Sequence, residues 1–205
     1  MFIIRRIKPA TERFKDAMML AQQISEKEMG EPNPFHNYRW RENLQKGILQ
    51  KNGLDIKDVS GITGDDFCGK DITKGDYKSG KGRYLKNGCL SRSKTKFEFD
   101  KQNDPVKREA TMKYDCLFFS WFVEFDCVAS VLIKGEDAIK DFQKMTKQKL
   151  DAFVKLMEKC EEEGKRITRD SITFDYYDTI QITGARYFSG EKEITLKEFK
   201  QIFGD

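Results

Sequence analysis

Histidine is almost absent: His36 is the only one in 205 residues. One copy excludes catalysis by paired histidines and most zinc enzymes. It also leaves no support for a Ser/His/Asp or Cys/His arrangement, and His36 itself reads as a capping or surface residue. Cysteine is sparse and scattered. The five, at 68, 89, 116, 127 and 160, are odd in number, widely spaced and contain no C-x-x-C. They read as reduced thiols of a cytoplasmic protein, buried as small hydrophobes.

Long apolar runs are missing as well. The longest apolar region, Tyr114 to Ile133, is broken by Asp115, Glu124 and Asp126. It falls short of the roughly 18 apolar residues of a membrane span, so no membrane partner is expected. The opening MFIIRRIKPATERF brings its charges too early for a secretory signal. There is no internal repeat and no low-complexity linker. A nucleotide loop is lacking too. Gly64 to Asp71 nearly fits the P-loop spacing, but Asp71 stands where a Mg²⁺-binding hydroxyl belongs, and two acids stand where phosphates would sit. No nucleotide cofactor is expected.

What remains is a charged chain with an aromatic core. Charged residues make up 35% and hydrophobic ones 38%, and Phe (16) outnumbers Tyr (7) and Trp (2). The length suits one domain. A net charge of +4 is a weak pull towards an anionic partner, since distribution matters more than the sum.

Apolar spacing predicts a short strand or arm at 2–7 and a helix from Thr11 to Met29 on Phe14, Met18, Ala21 and Ile24. A second helix is predicted from Phe35 to Gln50, closed near Asn52-Gly53. Strands are predicted at Ile56–Ile62, Lys74–Ser79 and Lys94–Phe99, and Asp104-Pro105 opens a short helix. Cys116–Val123 and Cys127–Lys134 read as two strands joined by a tight turn. A long amphipathic helix from about Glu136 to Glu163, a strand at Ile172–Ile182 and a helix at Leu196–Phe203 follow. The expectation is one α/β domain with a mixed central sheet flanked by helices. Trp40 and Trp121 are expected in its core.

The chemistry is concentrated in residues 60–80. Asp66 is followed, after nine residues, by Asp76-Tyr77-Lys78. Phosphodiester hydrolysis calls for a hard cation such as Mg²⁺ held by oxygen ligands, with waters retained. One acid at a turn and one on a strand can hold it between them. Alternation along a strand puts Asp76 and Lys78 on one face and Tyr77 on the other. The lysine then stands beside the cation, where it can orient water and stabilise phosphorane charge.

A first acid, a short spacer, then Asp-x-Lys or Glu-x-Lys is the motif of the PD-(D/E)XK nucleases, and this segment resembles it. Asp66 matches the first acid, Asp76 the second and Lys78 the lysine. The family's proline is absent, and Asp65 stands in its place. The resemblance covers roughly residues 36–134, with 135–205 as a C-terminal helix, strand and helix. It implies a restriction-endonuclease-like fold over residues 1–205, with Asp66 and Asp76 as Mg²⁺ ligands. It also implies a catalytic role for Glu42, on the preceding helix, with Asp66, Asp76 and Lys78. Its setting would be a bacterial cytoplasm, or a phage or virus. Another register stays open, in which Asp76 is the first acid and Glu98 or Asp100 the second. Asp65 or Asp71 can also replace Asp66.

From Lys74 to Lys96 there are eight basic residues and one acid, Asp76. Beside a metal motif this Gly- and Ser-rich stretch reads as a DNA contact, through Lys81, Arg83, Lys86, Asn87, Arg92, Lys94 and Lys96. Lys107, Arg108 and Lys113 form a second basic cluster. The lysines of the long helix are balanced by acids. The leading expectation is a sequence-specific endonuclease acting as a homodimer on double-stranded DNA. A structure-selective nuclease and a non-catalytic nucleic-acid-binding protein are the alternatives.

Overall fold

The run Cys116–Val123 contains no charged residue and all of it but Val123 is buried. Only a strand covered on both faces reads that way, and it is the centre of the sheet. The computed structural model describes residues 39–59, 66–124, 126–167 and 170–205. The predicted elements at 2–7 and 11–29, His36, Asp65 and the side chain of Trp40 lie outside the described residues. The elements in chain order are α1 (Arg39–Lys51), β1 (Ile56–Asp58), β2 (Phe67–Gly69), β3 (Ile72–Lys81), β4 (Phe97–Phe99), α2 (Pro105–Met112) and β5 (Cys116–Val123). There follow β6 (Asp126–Lys134), α3 (Glu136–Glu162), β7 (Ile172–Phe174), α4 (Tyr176–Thr179), β8 (Arg186–Ser189), β9 (Lys192–Ile194) and α5 (Leu196–Ile202).

Seven strands form one mixed sheet in the order β1-β2-β3-β5-β6-β8-β9, and β4 pairs with β7 in a second, two-stranded sheet. All neighbours are antiparallel except β3 and β5, which run parallel with Asp76 opposite Leu117 and Lys78 opposite Phe119. A parallel pair needs a crossover, and residues 82–115, with β4 and α2, supply it. The fold is the mixed α/β sheet flanked by helices that was expected.

Each sheet face has its own core. On one, Ile48 and Leu49 of α1 pack with Phe67, Tyr77, Phe118, Leu132 and Phe188. On the other, Phe142 and Phe153 of α3 and Phe199 of α5 meet Phe97, Phe99, Phe119, Trp121 and Phe174. Phe97 stacks on Phe119 and meets Trp121 edge-on, both at 4.7 Å. Burying each such ring contributes on the order of 2 kcal/mol.

Helix boundaries follow local chemistry. Gly53, at φ 86, ends α1, and Asp104 caps α2 by accepting from Val106 N at 2.9 Å. The strand expected at Ile172–Ile182 is three residues long. Asp175 stops it by accepting from Tyr177 N while Asp178 accepts from Asp175 N, a capping box that starts α4. The strand expected at Lys94–Phe99 shrinks to Phe97–Phe99. β2 and the β8–β9 hairpin were not anticipated. All five cysteines are free, and Cys116 alone is fully buried. Burial pushes the Cys116 thiol up to about 12 and Cys127 to about 11, which keeps both protonated and poor nucleophiles. Among the described residues no helix is long and apolar enough to cross a membrane.

Candidate active site

Strand alternation in β3 sorts its side chains as expected. Tyr77 turns towards α1, its ring 4.4 Å from that of Phe67. Gly75 makes room for this pair, because a Cβ there would come within 2.3 Å of the Phe67 ring. With Phe67 fixed on that face, Asp66 falls on the other. Its N–H donates to Gly75 O at 2.8 Å, and its Oδ2 accepts from Tyr77 N at 2.8 Å. Asp66 thus continues the β2–β3 ladder, with its carboxylate taking the place of a backbone carbonyl.

Asp76 and Lys78 share that face. Lys78 Nζ lies 2.7 Å from Asp76 Oδ2, with the aspartate side chain 3% exposed and the lysine 24%. The Lys78 ammonium also sits 4.9 Å from the centre of the Phe99 ring. Asp66 reaches Asp76 side chain to side chain. Burial drives the Asp76 carboxyl up to about 8, Lys78 opposes this, and contact with Asp66 adds to the rise. Burial works against the charge of Lys78, but Asp76, Asp66 and Asp100 outweigh it and hold its pKa above the usual value. The buried Asp76 Oδ2 has the Lys78 ammonium as its close partner. A buried carboxyl pressed against a second carboxyl and a lysine costs the fold free energy, and functional sites are often built from such clusters.

The other candidates are placed differently. Glu42 is half-buried on α1, and its charge, like those of Asp58 and Asp66, acts on Tyr77. Glu98 is exposed on β4, between the inward-facing Phe97 and Phe99. Asp100 is exposed and acts on Lys78. Asp71 lies exposed in the β2–β3 turn at φ 60, about 16 Å of extended strand from Asp76.

Gln45 was missed by sequence reasoning. It is fully buried on α1, and its Nε2 lies 3.2 Å from Lys78 O, 3.1 Å from Phe118 O and 3.0 Å from Ser120 Oγ. It ties α1 to the backbone of the motif strand. The available signal was an amide on the apolar stripe of Ile48 and Leu49.

The basic segment runs on directly from β3. Lys81, Arg83, Lys86, Asn87, Lys94 and Lys96 are exposed. Arg92 is half-buried and pairs with Asp205 at 3.0 Å. Thr95 donates to Lys81 O at 2.9 Å, which closes the segment at its base. Two residues of the second basic cluster are taken up locally: Arg108 donates to Gln102 O at 2.8 Å, and Lys113 pairs with Glu109 at 2.6 Å. A cleft of about 470 Å³ around Ile180–Tyr187 and Glu193–Leu196 contains none of the candidate residues.

Among the described residues no group of three or more His, Cys, Asp or Glu side chains gathers. Mg²⁺ does not require one, since one or two carboxylates plus waters and substrate oxygens suffice. Asp66 and Asp76, two carboxyls in contact on one face, fit that donor set. No family model matches the chain, and no curated protein matches it.

Proposed function

We propose that this protein is a Mg²⁺-dependent endonuclease of the PD-(D/E)XK kind, acting on double-stranded DNA as a homodimer. The observation that carries the reading is the meeting of Asp66, Asp76 and Lys78 on one face at the β2–β3 junction. The resemblance implied helix, strand, loop and motif strand, and the chain carries one more strand, β2, between β1 and the motif strand.

Asp66 and Asp76 would hold the cation. When bound, it supplies Lewis-acid polarisation of the phosphate and lowers the pKa of water. Asp76 gives up its proton as the cation site forms. Lys78 cannot be a ligand, because an ammonium has no acceptor. It orients the attacking water or stabilises charge developing on the phosphorane. Phe99 and Asp76 together limit the positions its ammonium can take. The basic residues after β3 hold the phosphate backbone.

Digestion of a long linear duplex with Mg²⁺, followed by sequencing of the ends, tests the reading. Discrete fragments sharing an end sequence support a sequence-specific endonuclease. Cuts confined to branched or flapped substrates indicate a structure-selective nuclease. Tight binding without cutting indicates a non-catalytic nucleic-acid-binding protein.

A further inference from the structure

We infer that Tyr84 and Leu85, on the hairpin between β3 and β4 just before its turn at 86–88, enter the base stack of duplex DNA as an apolar wedge, while the cations of the same segment hold the phosphates. The identity of the partner rests on the nuclease reading. The wedge extends that reading from backbone contact to deformation of the duplex.

Tyr84 and Leu85 are each 48% exposed, whereas Leu90 is wholly buried. The tip is held out on a fixed frame. Leu85 N donates to Cys89 O at 2.8 Å and Gly88 N to Leu85 O at 2.9 Å. Asn87 Oδ1 accepts from Cys89 N at 3.1 Å, and Gly88 takes φ 83, which a side chain would resist. At the base Tyr84 bridges to Leu90, Ser91 N donates to Arg83 O, and Leu90 N donates to Ile202 O, the last two at 2.8 Å. The backbone that carries these two side chains is therefore ordered before any partner arrives.

The charge around the tip selects the partner. From Tyr77 to Phe97 there is no acidic residue, and Lys81, Arg83, Lys86, Lys94 and Lys96 are exposed. Exposed apolar side chains in a segment whose charges are all cationic match a polymer with phosphates outside and stacked apolar bases inside, and wedges of this kind unstack a base step. An anionic membrane has the same signs. The hairpin, however, continues the strand carrying Asp76 and Lys78, and at most about 20 Å of extended chain separates Lys78 from Tyr84. That places the wedge within about six base steps of the proposed cut.

The test uses the whole chain in EDTA and a short end-labelled duplex carrying 2-aminopurine at several positions, so that any binding register reports. Binding is read by anisotropy and unstacking by 2-aminopurine emission. Wild type should bind and brighten the probe. Tyr84→Ser/Leu85→Ser should still bind but lose most of the brightening, and Leu85→Ser alone reads the same loss should the double variant misfold. Arg83→Gln/Lys86→Gln should bind more weakly and keep the brightening at saturation. Wild-type binding without brightening, or brightening unchanged in Tyr84→Ser/Leu85→Ser, overturns the wedge, and Mg²⁺-dependent cleavage would still uphold the nuclease. Brightening lost in Tyr84→Ser/Leu85→Ser, with no cleavage on adding Mg²⁺, supports the wedge and overturns the nuclease reading. Preference for phosphatidylserine vesicles over duplex, abolished in Tyr84→Ser/Leu85→Ser, overturns DNA as the partner.

Discussion

Asp76 Oδ2 and Lys78 Nζ lie 2.7 Å apart on one face of β3, and the acid is the more deeply buried of the two. A hydrophobic pair at these positions would pack against the Phe99 and Phe119 core without a desolvation cost. Asp66 adds a second acid beside the first. The fold therefore carries this cluster at the expense of its own stability, and its removal should show that.

Burial holds the Asp76 carboxyl at about 8, against an ordinary 3.8. Between these values the unfolded chain has lost the proton and the folded chain keeps it. The folded state binds more protons, so stability falls as pH rises through this window. In EDTA the wild-type Tm should decline between about pH 4 and pH 8 relative to that of Asp76→Asn, which cannot ionise there. At pH 8 the variant should be the more stable of the two. Parallel Tm profiles would show that Asp76 is charged and well solvated.

A cation at Asp66 and Asp76 must displace the Asp76 proton, so its binding should strengthen as pH rises towards about 8. Mg²⁺ should raise the wild-type Tm more at pH 8 than at pH 5, and should not raise that of Asp76→Asn. Calorimetry in buffers of different ionisation enthalpy should detect the released proton. Equal Mg²⁺ stabilisation of wild type and Asp76→Asn would place the cation elsewhere.

Lys78→Met keeps most of the apolar stem over Phe99 and removes the charge. It should fold, bind DNA and bind Mg²⁺, yet lose on the order of 10²-fold in single-turnover cleavage, as for a missing preorganised donor. Weakened binding with an unchanged single-turnover rate would make Lys78 a phosphate contact only.

Neutralising Lys81, Arg83 and Lys86 together should weaken DNA binding and flatten its salt dependence. The log–log slope should drop by about 0.9 for each phosphate that the variant no longer neutralises. Arg92→Gln should change the slope less, because Asp205 already pairs with Arg92. An unchanged slope in the triple variant would turn this hairpin away from DNA.

The sequence revealed whatever local chemistry decides. Period-two alternation placed Asp76 and Lys78 together and Tyr77 opposite, Asn52-Gly53 marked the end of α1, and Asp104-Pro105 marked the start of α2. Long-range pairing was not readable. β2 has only Phe67, Cys68 and Gly69, too little apolar content to announce a strand, so Asp66 looked like a turn acid. The run Ile172–Ile182 hid the Asp175 cap because a capping acid resembles any exposed strand residue. Arg92 looked as available as its neighbours until Asp205, at the far end of the chain, proved to be beside it. Glu42 was assigned to the site by its place on the preceding helix, where it is half-buried.

Conversion of supercoiled plasmid by wild type and by Asp76→Ala, each in Mg²⁺ and in EDTA, puts Asp76 to the test as the cation-holding acid of a nuclease. Wild type should give nicked and linear product in Mg²⁺ alone, and Asp76→Ala should give none, although the folded variant still binds the plasmid. Undiminished Mg²⁺-dependent cleavage by a purified, folded Asp76→Ala protein would contradict that assignment.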